Sequence, residues 1–163
     1  MYEVDRPTCL LTDWSDIGVG FFLKQKHCDC EVNEGPNCGP DHWRMVLAGS
    51  RFTKDAETRY APVEGEALAV VYALETCRMF VLGCPDLLVA TDHKPLVPIL
   101  NSKALESIKN PRLLNLKEKT LMYRFTAKHV PGKTHYVADA ASRNPAKQED
   151  HKMEAQETYA YMV

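Results

Sequence analysis

Short apolar runs alternate with polar punctuation along the chain, and the period of those runs changes partway. "CLLTDWS" (9–15), "GVGFFLKQKH" (18–27) and "MVLAGSRF" (45–52) read as three strands, with "SDIG" as turn chemistry between the first two. Consecutive strands on short or irregular links predict antiparallel pairing. From Pro62 the period becomes helical. Ala67, Val70, Val71, Leu74 and Cys77 recur at helix spacing behind the first-turn acids Glu64 and Glu66, predicting a helix over 63–81 that Gly83 ends. "DLLVATD" (86–92) is a fourth strand, apolar throughout, as a strand buried on both faces requires. "KPLVPILN" is a short helix or turn, and "NPRLLNLKEKTLMY" a second long helix with Pro111 near its start. "RFTAKHV" (124–130) alternates as a fifth strand, and "HYVADAASR" (135–143) is a short last helix. The order β-β-β-α-β-α-β-α predicts an α/β fold: a five-stranded mixed sheet, three antiparallel strands followed by βα units, flanked by helices. Beyond Pro145 the periodicity fades, and 146–163 reads as a polar tail or linker.

At 163 residues and 45% hydrophobic, the chain fits one domain with a core. No apolar run reaches membrane-span length, and the first residues lack the features of a signal peptide. An intracellular protein with reduced cysteines is the expectation. The net charge of −2 alone argues against a nucleic-acid binder, but its distribution changes that picture. Residues 1–100 carry a net −6 and residues 101–143 a net +6. Metal at one place and phosphate at another would suit this division; a solvated basic helix face is the plainer alternative.

The segment "CDCEVNEGPNCGPDHW" is long for a hairpin connection. Cys28, Cys30, Cys38 and His42, with His27 nearby, offer a zinc-ligand set that would staple it. Their spacing follows no standard knuckle, and loose thiols are the alternative.

Two strands end alike: "LLTD" delivers Asp13 and "VATD" delivers Asp92. A strand-end aspartate alone is most often a turn residue or cap. Glu66 near a helix start suits the macrodipole, and Glu64 competes with it from a different helix face. Asp139 sits among Val137, Ala138, Ala140 and Ala141, with no evident solvated face to occupy. Four acids on separate elements suggest divalent cations, since clustered carboxylates need cations or protons.

The order strand-Asp, helix-Glu, strand-Asp, helix-Asp resembles ribonuclease H. The words "TDWSDIGVGFFLKQ", "LAGSRFTKDAETRYAPVEGEALAVVYAL", "TDHKPL" and "HVPGKTHYVADAASR" resemble the RNase H domain of gypsy-type LTR retrotransposon reverse transcriptases, across residues 6–145. The resemblance implies metal ligation by Asp13, Glu66, Asp92 and Asp139, and selects Glu66 over Glu64 because the family glutamate directly precedes the apolar helix run. It implies a two-metal endoribonuclease that cleaves the RNA strand of RNA–DNA hybrids during reverse transcription. The ions would be magnesium, with manganese as a substitute. The implied partners are the hybrid, the polymerase domain and the integrase of the same polyprotein, in a cytoplasmic particle or the nucleus. A catalytically silent RNase H-fold connection domain is the alternative; such domains typically lose acids that this chain keeps. The histidine that many family members carry on a loop before the last aspartate has no clear counterpart in His129 or His135. Ser50, Arg51, His93, Arg112 and Lys117 are candidates for contacts to substrate, Arg112 and Lys117 through backbone phosphates. Tyr60 is a weaker candidate, or packs beneath the helix that follows it.

Overall fold

A computed structural model describes residues 2–28 and 42–131, and the backbone of Thr158–Tyr161. Strands β1 (Thr8–Trp14), β2 (Gly18–Lys26) and β3 (Trp43–Phe52) form an antiparallel meander. Helix α1 (Pro62–Thr76) then carries the chain to β4 (Leu87–Thr91), which lies parallel to β1. Helices α3 (Leu96–Asn101) and α4 (Pro111–Thr120) precede β5 (Thr126–His129), parallel to β4. The sheet order is β5-β4-β1-β2-β3-β6, with β6 at Thr158–Tyr161, so β1 sits inside the sheet between an antiparallel and a parallel neighbour. The five expected strands are all present, in the expected mixed arrangement.

Three boundaries differ from expectation. The helix foreseen over 63–81 is two helices: α1 stops at Cys77, whose backbone N–H turns to the Ala73 and Glu75 carbonyls, and α2 (Arg78–Val81) follows. Gly83, at φ 80°, ends the pair as its conformational freedom allows. α4 ends at Thr120, short of the apolar "LMY" that prolonged its pattern. Within the segment read as a polar tail, Thr158–Tyr161 form β6, antiparallel to β3 from Ser50 to Leu47. A short Tyr-rich stretch suits a strand, and it covers what would otherwise be the open edge of β3. The helix foreseen over 135–143 lies outside the described residues.

The larger core lies between one face of the sheet and α1, with Leu10, Phe21, Leu23 and Val89 meeting Ala69, Val70, Ala73 and Leu74. Every residue of α1 from Glu64 to Leu74 is buried, so this helix is the axis of the domain rather than an amphipathic cover. α1 and α4 run side by side in the same direction. Asn110 and Arg112 at the start of α4 reach Glu64 at the start of α1. Tyr123, just beyond α4, is buried within the electrostatic reach of Arg78, Glu75 and Cys77 at the far end of α1.

The approach of α1 to β1 is set by one pair. A Cβ on Gly65 would fall onto the indole ring of Trp14, 2.6 Å from Cε3 and nearer still to two other ring carbons. Glycine inside a helix costs about 0.5–1 kcal/mol relative to alanine. Here it is tolerated because any side chain would lift the first turn of α1 off the end of β1. Gly65→Ala is therefore expected to destabilise the fold by about 1–3 kcal/mol despite its better helix propensity. Urea denaturation measures this, and a variant as stable as the parent would show that the contact does not govern helix placement.

Candidate metal centre

The parallel register of β1 and β4 pairs Leu11 with Ala90. Two residues further on, Asp13 near the end of β1 and Asp92 just past the end of β4 come to the same end of the sheet. The first turn of α1, seated on Trp14, supplies Glu66. Asp13, Glu66 and Asp92 each offer a carboxylate oxygen, and these lie within 4.8 Å of one another. Asp13 is 3% exposed and Glu66 8%, while Asp92 is the more open of the three.

Such a cluster repels itself. Burial, then the Asp13 carboxylate, then that of Asp92, push Glu66 up to about 9, against the opposing pull of a hydrogen bond from the Trp14 backbone N–H. Glu66 Oε2 is buried with no hydrogen-bond partner. A buried carboxylate with one oxygen unsatisfied beside two other carboxylates is a cost unless a cation or a proton joins it. The donor set is all oxygen, which suits a hard divalent ion such as magnesium or manganese. Asp139 lies outside the described residues, so its membership of the cluster stands on the sequence.

The other metal hypothesis is half visible. Cys28 and His42 are described, at the two ends of the long loop, and the His27 N–H donates to the His42 carbonyl at 2.7 Å where those ends meet. Cys30 and Cys38 lie outside the described residues. Among the described residues, the group of metal-ligating side chains that converges is the carboxylate one.

The candidate substrate residues divide. Ser50 is buried in the cross-strand row Asp13–Gly20–Ser50, and Gly20 leaves no side chain between the two outer members. His93 follows Asp92 and donates its backbone N–H to Thr91 Oγ1 at 3.2 Å, which turns the chain sharply at the strand end. Arg51 is held inward: its guanidinium grips both Glu57 oxygens at 2.7 and 3.0 Å and lies 5.2 Å from the centre of the Tyr72 ring. Lys117 is also taken inward. It is buried, and its ammonium donates to the Ile99 and Lys103 carbonyls at 2.6 and 2.7 Å, tying down the segment between α3 and α4. The charge pattern that suggested phosphate contact could not distinguish a lysine that caps carbonyls from one that faces solvent.

Arg112 stays open on one side. It pairs with Glu64 and stacks on Tyr60, 4.3 Å from the ring centre, with about half of its side chain exposed. This answers the competition between the two helix acids: Glu64 serves α4, and Glu66 faces the aspartates. Trp14 and Glu57 were not singled out from sequence. The "EGEA" word within an otherwise apolar helix was the available signal for a close approach by glycine.

Because Glu66 holds its proton up to about 9 in the fold and releases it near 4.5 when unfolded, the native state binds the extra proton between those values. Stability in chelator-treated buffer is therefore expected to fall as pH rises through that window. Glu66→Gln should flatten this dependence and stabilise the metal-free protein near pH 8 by at least about 1 kcal/mol. Denaturant titrations across the window provide the check, and an unchanged slope would mean that another group binds the proton.

Comparison with known proteins agrees with the geometry. A profile of the RNase H-like domain found in reverse transcriptase matches residues 3–123. The retrovirus-related Pol polyprotein from transposon 297 of Drosophila melanogaster is 33% identical over 155 residues, which is 94% of this chain and 12% of that polyprotein. Those from transposons opus and gypsy of the same fly are 31% identical over 140 and 141 residues, again 12% of each polyprotein. The chain thus spans about an eighth of the length of these relatives. Among solved structures, RNase H1 from the archaeon Halobacterium salinarum superposes with a TM-score of 0.57 at 18% identity, covering 87% of this chain and 99% of that one. LC11-RNase H1 in complex with an RNA/DNA hybrid gives 0.54 at 16%, covering 81% and 91%. These superpositions establish the RNase H-like fold, and the matched profile with the transposon polyproteins establishes the family: the chain belongs to the RNase H-like domains of retroelement reverse transcriptases.

Proposed function

We propose that this domain is the ribonuclease of an LTR-retroelement polyprotein, hydrolysing the RNA strand of RNA–DNA hybrids with divalent metal held by Asp13, Glu66, Asp92 and Asp139. The observation that carries the reading is the convergence of three carboxylates from three separate elements, one of them with an orphaned buried oxygen. A purely structural acid in this fold has a cation or a backbone partner, as Glu57 has Arg51 and the Lys54 N–H, and Glu64 has Arg112. Glu66 has the Trp14 backbone N–H as a partner but no cation, keeps one buried oxygen without a hydrogen bond, and meets two further acids.

Bound magnesium ions would supply charge stabilisation to an attacking water and to the departing oxygen. The chain's own contribution is placement. β1 and β4 present Asp13 and Asp92 at one level, Trp14 and Gly65 bring Glu66 to them, and burial keeps two of the three carboxylates out of bulk water. The strand cut would be the one carrying a 2′-hydroxyl, the group by which a protein tells RNA from DNA. His93, beside Asp92, and Ser50, in the row of Asp13, are the residues we assign to the neighbourhood of the scissile strand.

The test is cleavage of a labelled RNA–DNA hybrid with magnesium or manganese at high protein concentration. The parent should cut the RNA strand, and Asp92→Asn and Asp139→Asn should each lose activity by about 100-fold or more. A parent that binds hybrid yet cuts under neither metal would point to a silent domain of the same fold. Asp92→Asn cutting as fast as the parent would remove that carboxylate from the chemistry.

A further inference from the structure

Of the three converging carboxylates, Asp92 has the least support from its own element. Asp13 lies within β1, paired with Gly20, and Glu66 lies within α1. Asp92 follows the last residue of β4 and so stands just outside the ladder. It rides on the segment that runs from Thr91 through His93 and Lys94 into α3. What fixes that segment decides where the third carboxylate stands.

Both ends of the segment are fastened to β5 and the residue that follows it. At the near end the Val130 N–H donates to the Thr91 carbonyl at 2.8 Å. At the far end the side-chain amide of Asn101, the last residue of α3, takes both backbone groups of Ala127. Its Nδ2 donates to the Ala127 carbonyl at 2.9 Å, and its Oδ1 accepts from the Ala127 N–H at 2.7 Å. The amide meets β5, the outermost strand in the sheet order, much as a further strand would. From Ala127 to Val130 is about 10 Å along an extended chain. Asp92 and His93 therefore sit in a closed excursion with both feet on one stretch of backbone.

The helix between the feet passes the fastening on. α3 spans six residues, too short to be stable alone, and has no side-chain cap at its start. Burial of Leu96 and Leu100 holds it to the core, but apolar contact is non-directional. The Asn101 amide supplies the direction. At the other end of α3, the Leu96 N–H donates to the His93 carbonyl at 3.0 Å and the Val97 N–H to the Lys94 carbonyl at 3.2 Å. The first turn of α3 thus grows straight out of the turn that carries Asp92, and a shift of the helix along β5 would reach that carboxylate.

We infer that Asn101 is a positioning residue for the metal centre: by fixing α3 to β5 it holds Asp92 where one cation can be shared with Asp13 and Glu66. The inference rests on the reading of these carboxylates as metal ligands. Asn101 acts through Asp92 rather than on the ion. It is exposed, so its replacement empties no part of the core.

The test measures manganese binding to the whole chain by calorimetry, without substrate, beside hybrid cleavage over a range of manganese concentrations. Asn101→Ala should weaken manganese binding, and raise the concentration for half-maximal cleavage, each by about tenfold. Saturating manganese should restore its rate to within about twofold of the parent. The control is Tyr2→Phe, which removes a hydrogen bond to the Phe80 carbonyl beyond the far end of α1. It should lower stability and move neither metal value. If Asn101→Ala binds manganese as the parent does, or Tyr2→Phe weakens binding as much, Asn101 does not position Asp92; the ribonuclease reading then stands on cleavage by the parent. A parent that binds manganese but cuts no hybrid would overturn the ribonuclease reading, while the binding comparison still decides the role of Asn101. A parent that binds no manganese would overturn both.

Discussion

Three carboxylates that repel one another are held at one end of this domain, and much of its architecture can be read as the apparatus that holds them. Left to itself, Glu66 would swing to water and lower its own electrostatic cost. It cannot, because its helix is buried from Glu64 to Leu74 and its first turn is pressed onto Trp14 through the missing side chain of Gly65. Asp13 and Asp92 cannot separate either, because their strands are hydrogen-bonded neighbours in parallel register. The unfavourable energy is confined to a few side chains, while the apolar contacts that offset it run through α1 and the whole inner face of the sheet. A divalent ion would relieve the repulsion without moving any element, which is the sense in which the site is preorganised.

The same economy explains three charges that fasten the scaffold. Arg51 with Glu57, Arg112 with Glu64, and Lys117 with two carbonyls are each satisfied locally, by a partner close in sequence or on the neighbouring helix. Their side chains tie loops to the main layers: the β3–α1 connection, the start of α4, and the passage from α3 to α4. Charge in this fold thus has two uses that look alike in composition. Charge matched to a partner fastens the scaffold, and the cluster of like-charged carboxylates is the candidate metal centre.

That distinction governs what could be read from the chain. Strand and helix order was legible because the apolar period changes cleanly at Pro62 and again before Leu87. Asp13 and Asp92 were legible because both close an apolar strand with the same Thr-Asp word, and parallel register then leaves little freedom in where they meet. The break at Cys77 was not legible, since Arg78 to Val81 continues a helical pattern and only a local turn of the backbone ends α1. β6 was hidden in a polar context, where four residues carry too little pattern to announce a strand. Arg51 and Lys117 were candidates for substrate contact, and their inward turn was not legible on a common ground: a cation in a basic or family-like word says nothing of which way it faces. Their partners, Glu57 and two backbone carbonyls, become evident only when the chain is folded.

The position of α1 gives these observations a common geometry. A helix buried on every side normally carries no acid in its first turns, because each would need a partner. This one carries two, on opposite sides, and each has a different solution. Glu64 is neutralised by an arginine that remains half open to solvent, so its side of the helix presents positive charge outward. Glu66 is left among acids, so its side attracts cations inward. The alternation Glu-Gly-Glu therefore encodes more than a ligand and its spacer: the glycine sets how deep the helix sits, and the two acids set what each of its sides can hold.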